Sequence, residues 1–85
     1  MVSLDEARAE AERFLDSRVR PQHPYPVVIL DEYVQDEGDS WLFPYNGKAY
    51  VEQNSFSEMM VGNVPIRVHK QTGATDFDRG AVSLE

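Results

Sequence analysis

The sequence predicts an α+β fold: an N-terminal helix packed on one face of a four- or five-stranded, mainly antiparallel sheet. Three observations lead there. Apolar residues recur at helical spacing through residues 4–15, they alternate with polar ones through 64–69, and short β-rich runs between them are separated by turns containing Gly or Pro. A helix followed by hairpin-linked strands gives an antiparallel sheet with the helix on one side.

The helix comes first. Ser3 is a good N-cap and Glu6 stands three residues on, as in a capping box. Leu4, Ala7, Ala11, Phe14 and Leu15 form one narrow apolar stripe, whose central alanines let a sheet approach closely. Asp5/Arg8 and Glu10/Arg13 are spaced to pair across a turn. The helix is expected to stop near 17–19, because Pro21, Pro24 and Pro26 favour extended chain through a linker at 18–26.

Residues 27–34 read as the first strand, and Asp36-Glu37-Gly38-Asp39 as a turn. Residues 40–45 read as a second strand, with Trp41, Phe43 and Tyr45 on one face and Pro44 marking an edge or bulge. Asn46-Gly47 is a two-residue hairpin signal, which predicts a third strand over 48–52 with Ala49 and Val51 on one face. Ser55-x-x-Glu58 followed by Gly62 predicts a short helical turn through Met59 and Met60. In 64–69, Val64, Ile66 and Val68 point inward while Arg67 and His69 point outward. Lys70-Gln71-Thr72-Gly73 turns the chain into a last strand at 74–77.

Eighty-five residues make one domain with one core, which buries about 60–65% of the unfolded surface. The closing Leu84-Glu85 fits a cloning remnant and is given no weight. Without cysteine there are no disulfides, thiolate metal sites or cysteine nucleophiles. The N-terminus has no basic segment followed by an apolar one, and no apolar run nears the roughly 20 residues of a membrane helix. The expected location is the cytoplasm, without membrane contact.

A search for chemistry returns little. His23 and His69 are isolated, which argues against a zinc site and against serine catalysis; the glycines are scattered at turns rather than gathered in a phosphate loop. Carboxylates are plentiful, but a glycosidase-type pair needs a cleft that a short single-sheet domain rarely provides. The expectation is therefore no enzyme activity, no cofactor and no metal. Fifteen acids against eight bases give a net charge of −7. Asp31, Glu32, Asp36, Glu37 and Asp39 lie together with no base between them. Such a surface repels nucleic acid and attracts basic partners; alternatively it is a solvated hairpin end that keeps the protein dissolved. A protein partner is the expectation, with Asp36, Glu37, Asp39, Tyr45, Tyr50 and Phe56 as candidate contact residues and the chain itself a monomer or weak dimer. Met59 and Met60 add an adaptable apolar contact. Trp41 reads either as core or as an exposed anchor.

Three segments taken in order resemble the YrhB-like small proteins, also called the immunity protein 35 family. They are Leu4-x-x-Ala7-x-x-x-Ala11-x-x-Phe14-Leu15; Trp41-x-Phe43-x-Tyr45-Asn46; and Val61-Gly62-Asn63-x-Pro65-Ile66-x-Val68 followed by Thr72-Gly73. The likeness spans roughly residues 3–77. It implies an α+β fold and a cytoplasmic immunity protein of a bacterial polymorphic toxin system, which neutralises its cognate toxin by binding it. It also leaves a chaperone-like, protein-binding role as the alternative. The family supplies no catalytic residues, and His69 stands where it often carries an acidic residue.

Overall fold

A computed structural model describes residues 1–53 and 64–78. Helix α1 (Leu4–Arg18) begins as the sequence dictates. The Glu6 amide donates to Ser3 Oγ at 3.2 Å, and the Ser3 amide donates to Glu6 Oε1 at 2.9 Å, so two orphan donors of the first turn are satisfied reciprocally. That backbone hydrogen bond from Ser3 holds the Glu6 carboxyl below its ordinary range. Ala7, Ala11, Phe14 and Leu15 are buried. Leu4, by contrast, is exposed, so the buried stripe starts one turn later than its sequence spacing suggests.

Strands follow in two sheets. Strands β1 (Val27–Ile29) and β4 (Tyr45–Gly47) pair with each other, while β2 (Gln35–Asp36), β3 (Ser40–Phe43), β5 (Ile66–His69) and β6 (Thr75–Phe77) form a four-stranded sheet in the order β2-β3-β5-β6. Every pairing is antiparallel. Helix α1 lies against β3, β5 and β6. Phe43, Ile66 and Val68 fill the core beneath it, and Phe14 meets Phe77 edge-on with ring centroids 4.9 Å apart. Val64 is half-buried and outside that cluster, whereas Ile66 and Val68 point inward as expected.

One interrupted hairpin links the two sheets. Val27, Val28 and Ile29 lie opposite Gly47, Asn46 and Tyr45, and the Leu30 amide continues the ladder to the Pro44 carbonyl at 2.8 Å. Further along, Gln35 lies opposite Leu42 and Asp36 opposite Trp41. Between the Ile29/Tyr45 and Gln35/Leu42 pairs one arm advances six residues (29 to 35) and the other three (45 to 42), so the first arm carries three more. They leave the ladder as a 3-10 turn, Asp31–Tyr33, closed by the Tyr33 amide donating to the Leu30 carbonyl at 2.9 Å. The single strand expected over 27–34 thus ends at Ile29 and gives way to the extruded turn, and pairing resumes only at Gln35 and Asp36, where Asp36 was expected to open a turn. Pro44, which has no amide hydrogen to donate, sits where the other arm divides.

A second difference follows Asn46-Gly47. No hairpin forms there: Lys48–Gln53 is a short helix, α2, instead of a third strand. A type I′ turn needs positive φ at both central residues, yet among the described glycines only Gly38 and Gly73 have it. Asn46 and Gly47 are held extended by Val28 and Val27, and the Lys48 amide still donates to the Pro26 carbonyl at 2.9 Å. Long-range pairing has overridden the local turn preference. The two remaining turns do form: Gly38 (φ 91°) closes β2–β3 and Gly73 (φ 77°) closes β5–β6. The helical turn expected through Ser55, Met59 and Met60 lies outside the described residues.

Two arginines fasten α1 and the segment after it to the hairpin. Arg20 donates from Nη2 (2.7 Å) and Nε (3.1 Å) to the Val27 carbonyl, and its Nη1 lies 2.8 Å from both Glu12 and Asp16. Arg8 does not pair with Asp5 as its spacing suggests; it reaches Glu12 at 3.3 Å and grips Asp31 through Nε (2.6 Å) and Nη2 (2.9 Å). Glu10 and Arg13 do pair. Two expectations follow for stability. Phe14→Ala removes a buried ring from both the core and the Phe77 contact, and should lower unfolding free energy by about 3–5 kcal/mol in a urea titration; an unchanged midpoint would refute this packing. Arg20→Lys loses the planar fork on Val27 and should cost about 1–2 kcal/mol by the same measurement.

Candidate interaction surface

The acidic run lies along the first arm and tip of the hairpin, but not as five free charges. Asp31 is held by Arg8, whose hydrogen bond keeps the Asp31 carboxyl below the ordinary carboxylate range. Asp36 accepts from Lys70 Nζ at 2.6 Å and from the Gly38 amide at 2.9 Å, and the Lys70 bond is the larger reason its carboxyl is also lowered. The Lys70 side chain is largely buried and lies across the Trp41 ring, 4.2 Å from its centroid. Among the described residues, Glu32, Glu37 and Asp39 are exposed without an ion pair. Behind the turn, Arg67 bridges Ser40 Oγ (2.5 Å) and the buried Asp78 (2.8 Å). The Asp78 hydrogen bond is the main cause that raises the Arg67 pKa, and the charges of Asp39 and Glu37 add to it. The negative potential of the run is therefore concentrated on three carboxylates rather than five.

The aromatic candidates separate in the same way. Tyr45 is 5% exposed and belongs to the core, because β4 turns it inward opposite Ile29; it cannot be the exposed anchor expected from its neighbourhood to the Asn46-Gly47 pair. Burial also pushes its phenol pKa up. Trp41 is half-buried against the core, with its indole nitrogen enclosed, which favours the core reading over the anchor. Tyr50 is half-buried on α2. Phe56 lies outside the described residues, as do Met59 and Met60.

Tyr33 takes the exposed role instead. At 65% exposure it is the one exposed aromatic among the described residues. Sequence reasoning passed over it as an interior strand position. Asp31-Glu32 beside it gave a usable signal, since acids are poor strand formers in the middle of an otherwise apolar run. Tyr33 stands between two open depressions. One is lined by Gln35, Leu42, Pro44 and Pro65, the other by Ile29, Leu30, Glu32 and Val51.

Among the described residues, groups that do chemistry are not gathered in this way. His23 stacks loosely on Tyr25 at 5.4 Å and His69 is exposed on β5. Among the described residues no three His, Cys, Asp or Glu side chains are placed to hold a metal ion, and no helix is long and apolar enough to cross a membrane. What the surface offers is a displayed aromatic, flanking apolar patches and unpaired carboxylates, the ingredients of protein recognition.

Comparison with known proteins points the same way. No curated protein and no solved structure gave a match. A family model described as immunity protein 35, however, matches residues 5–83. That span takes in both sheets, the extruded turn and, but for Leu4, all of α1 and the three segments that carry the sequence resemblance, and the chain belongs to the immunity protein 35 family.

Proposed function

We propose that this chain is a cytoplasmic immunity protein that binds a cognate bacterial toxin domain and blocks it by direct contact, without chemistry of its own. Membership of the immunity protein 35 family carries this reading. The net charge of −7 supports a basic partner, because opposite charge raises the encounter rate between two proteins.

The deciding experiment is co-expression with the C-terminal domain encoded by the adjacent reading frame. Growth should be restored in cells making that domain, and the purified proteins should form a stable complex. Absence of rescue, or of a complex, would overturn the proposal. The charges give a kinetic signature. Reversing Glu32, Glu37 and Asp39 to lysine leaves the Arg8–Asp31 and Lys70–Asp36 pairs in place. It should slow association by about tenfold or more at low salt and flatten the salt dependence, while thermal unfolding stays near that of the parent. An association rate equal to the parent's at every ionic strength would show the acidic run to be only a solvated hairpin end.

A further inference from the structure

We infer that the extruded turn Asp31–Tyr33 is the partner-contacting surface, with Tyr33 as its anchor, and that it fits a basic protein domain offering an apolar pocket for the ring. This deepens the immunity reading and rests on it.

Four observations converge. The first is the insertion itself. The hairpin ladder runs on either side of it, so pairing alone does not require the three additional residues. Insertions of this kind re-aim side chains out of a sheet. Secondly, what is re-aimed is an aromatic at 65% exposure, while Phe14, Phe43 and Tyr45 are buried. Tyrosine is enriched among residues that dominate binding energy, because it supplies area with few rotatable bonds and a polar tip.

Thirdly, the turn is held before any partner arrives. Arg8 grips Asp31 through two hydrogen bonds, Glu12 holds Arg8 from one turn further along α1, and the Tyr33 amide is tied to the Leu30 carbonyl. An exposed ion pair of this type adds little to stability. Its stronger effect is to fix the turn, which reduces the ordering cost of binding. Fourthly, the surroundings have the composition of an interface. Leu42, Pro44 and Pro65 lie on one side of Tyr33, and Leu30 and Val51 on the other, so a docked ring would be shielded from water. Glu32 adjoins the anchor with no ion pair among the described residues. Glu37 and Asp39 close the same hairpin, about 7 and about 10 Å along it from Gln35 at about 3.3 Å per residue. Asp31 is neutralised by Arg8, which leaves the charge next to the anchor to Glu32 alone.

The test measures binding of the full chain to the purified C-terminal domain encoded by the adjacent reading frame. Tyr33→Ala should raise Kd about 30-fold or more, the equivalent of a 2 kcal/mol hot spot, through faster dissociation and with an unchanged melting temperature. Tyr33→Phe should keep most of the affinity. Arg8→Met frees the turn without touching the anchor and should give a smaller loss, whereas Arg13→Ala on the opposite part of the charge pattern should give none. Parent-like dissociation of Tyr33→Ala from a domain that the parent binds would overturn the anchor and leave the immunity reading standing. Failure of the parent to bind or to protect would overturn both.

Discussion

The seating of α1 on the sheet through Ala7 and Ala11 is the contact on which the remaining structure depends. Both alanines are fully buried, and with no side chain beyond Cβ they bring the helix backbone close to β3 and β5. Phe14 and Leu15 then fill the wider end, where Phe77 and Val19 complete the wall. Close approach also sets what the polar side of the helix can reach. Arg8 on the helix and Arg20 just after it stand near the first arm of the hairpin because the helix sits low, so their hydrogen bonds to Asp31 and Val27 are consequences of the alanine stripe.

From that constraint the division of the hairpin becomes intelligible. The β1–β4 portion is governed by Val27, Ile29 and Tyr45, which turn into the core. The β2–β3 portion is governed by β5, which fixes β3 through four consecutive residue pairs. The two portions satisfy different neighbours, and the three-residue offset between them is taken up where Pro44 already interrupts the donor series. The offset is expelled toward solvent because Asp31 and Glu32 have no place in an apolar interior. Arg8 then converts an expelled loop into a fixed one.

How much of this was legible in the sequence depends on the range of the interaction concerned. The capping box at Ser3 and Glu6, the stripe through Ala7, Ala11, Phe14 and Leu15, and the glycine turns at Gly38 and Gly73 are set by residues within a few positions of one another, and each appears as read. Asn46-Gly47 failed because its conformation is decided by Val27 and Val28, nearly twenty positions earlier. The extruded turn was hidden for the same reason: a register offset is a relation between two arms, and neither arm displays it alone. Tyr45 and Tyr33 exchanged roles as a direct result. Trp41, Phe43 and Tyr45 do share the core face that alternation assigns them; Tyr45 was expected at the surface only because of a turn at Asn46-Gly47 that does not form, and Tyr33 is carried outward by the extruded turn.

Charge follows the same division between local and long-range effects. Five acids in a short run suggest a uniform negative surface, yet the fold brings Arg8 and Lys70 from elsewhere in the chain to Asp31 and Asp36. Those two acids hold the hairpin to α1 and to the β5–β6 turn, and they have little charge left to project. Glu32, Glu37 and Asp39 remain exposed at the extruded turn and the hairpin tip. Screening limits each to a range of about 8 Å at physiological salt, so their influence is strongest on a partner already close to the hairpin. The acids that stabilise the shape and the acids available to steer a partner are thus different residues of one run, and the separation between them is made by two cations the run itself does not contain.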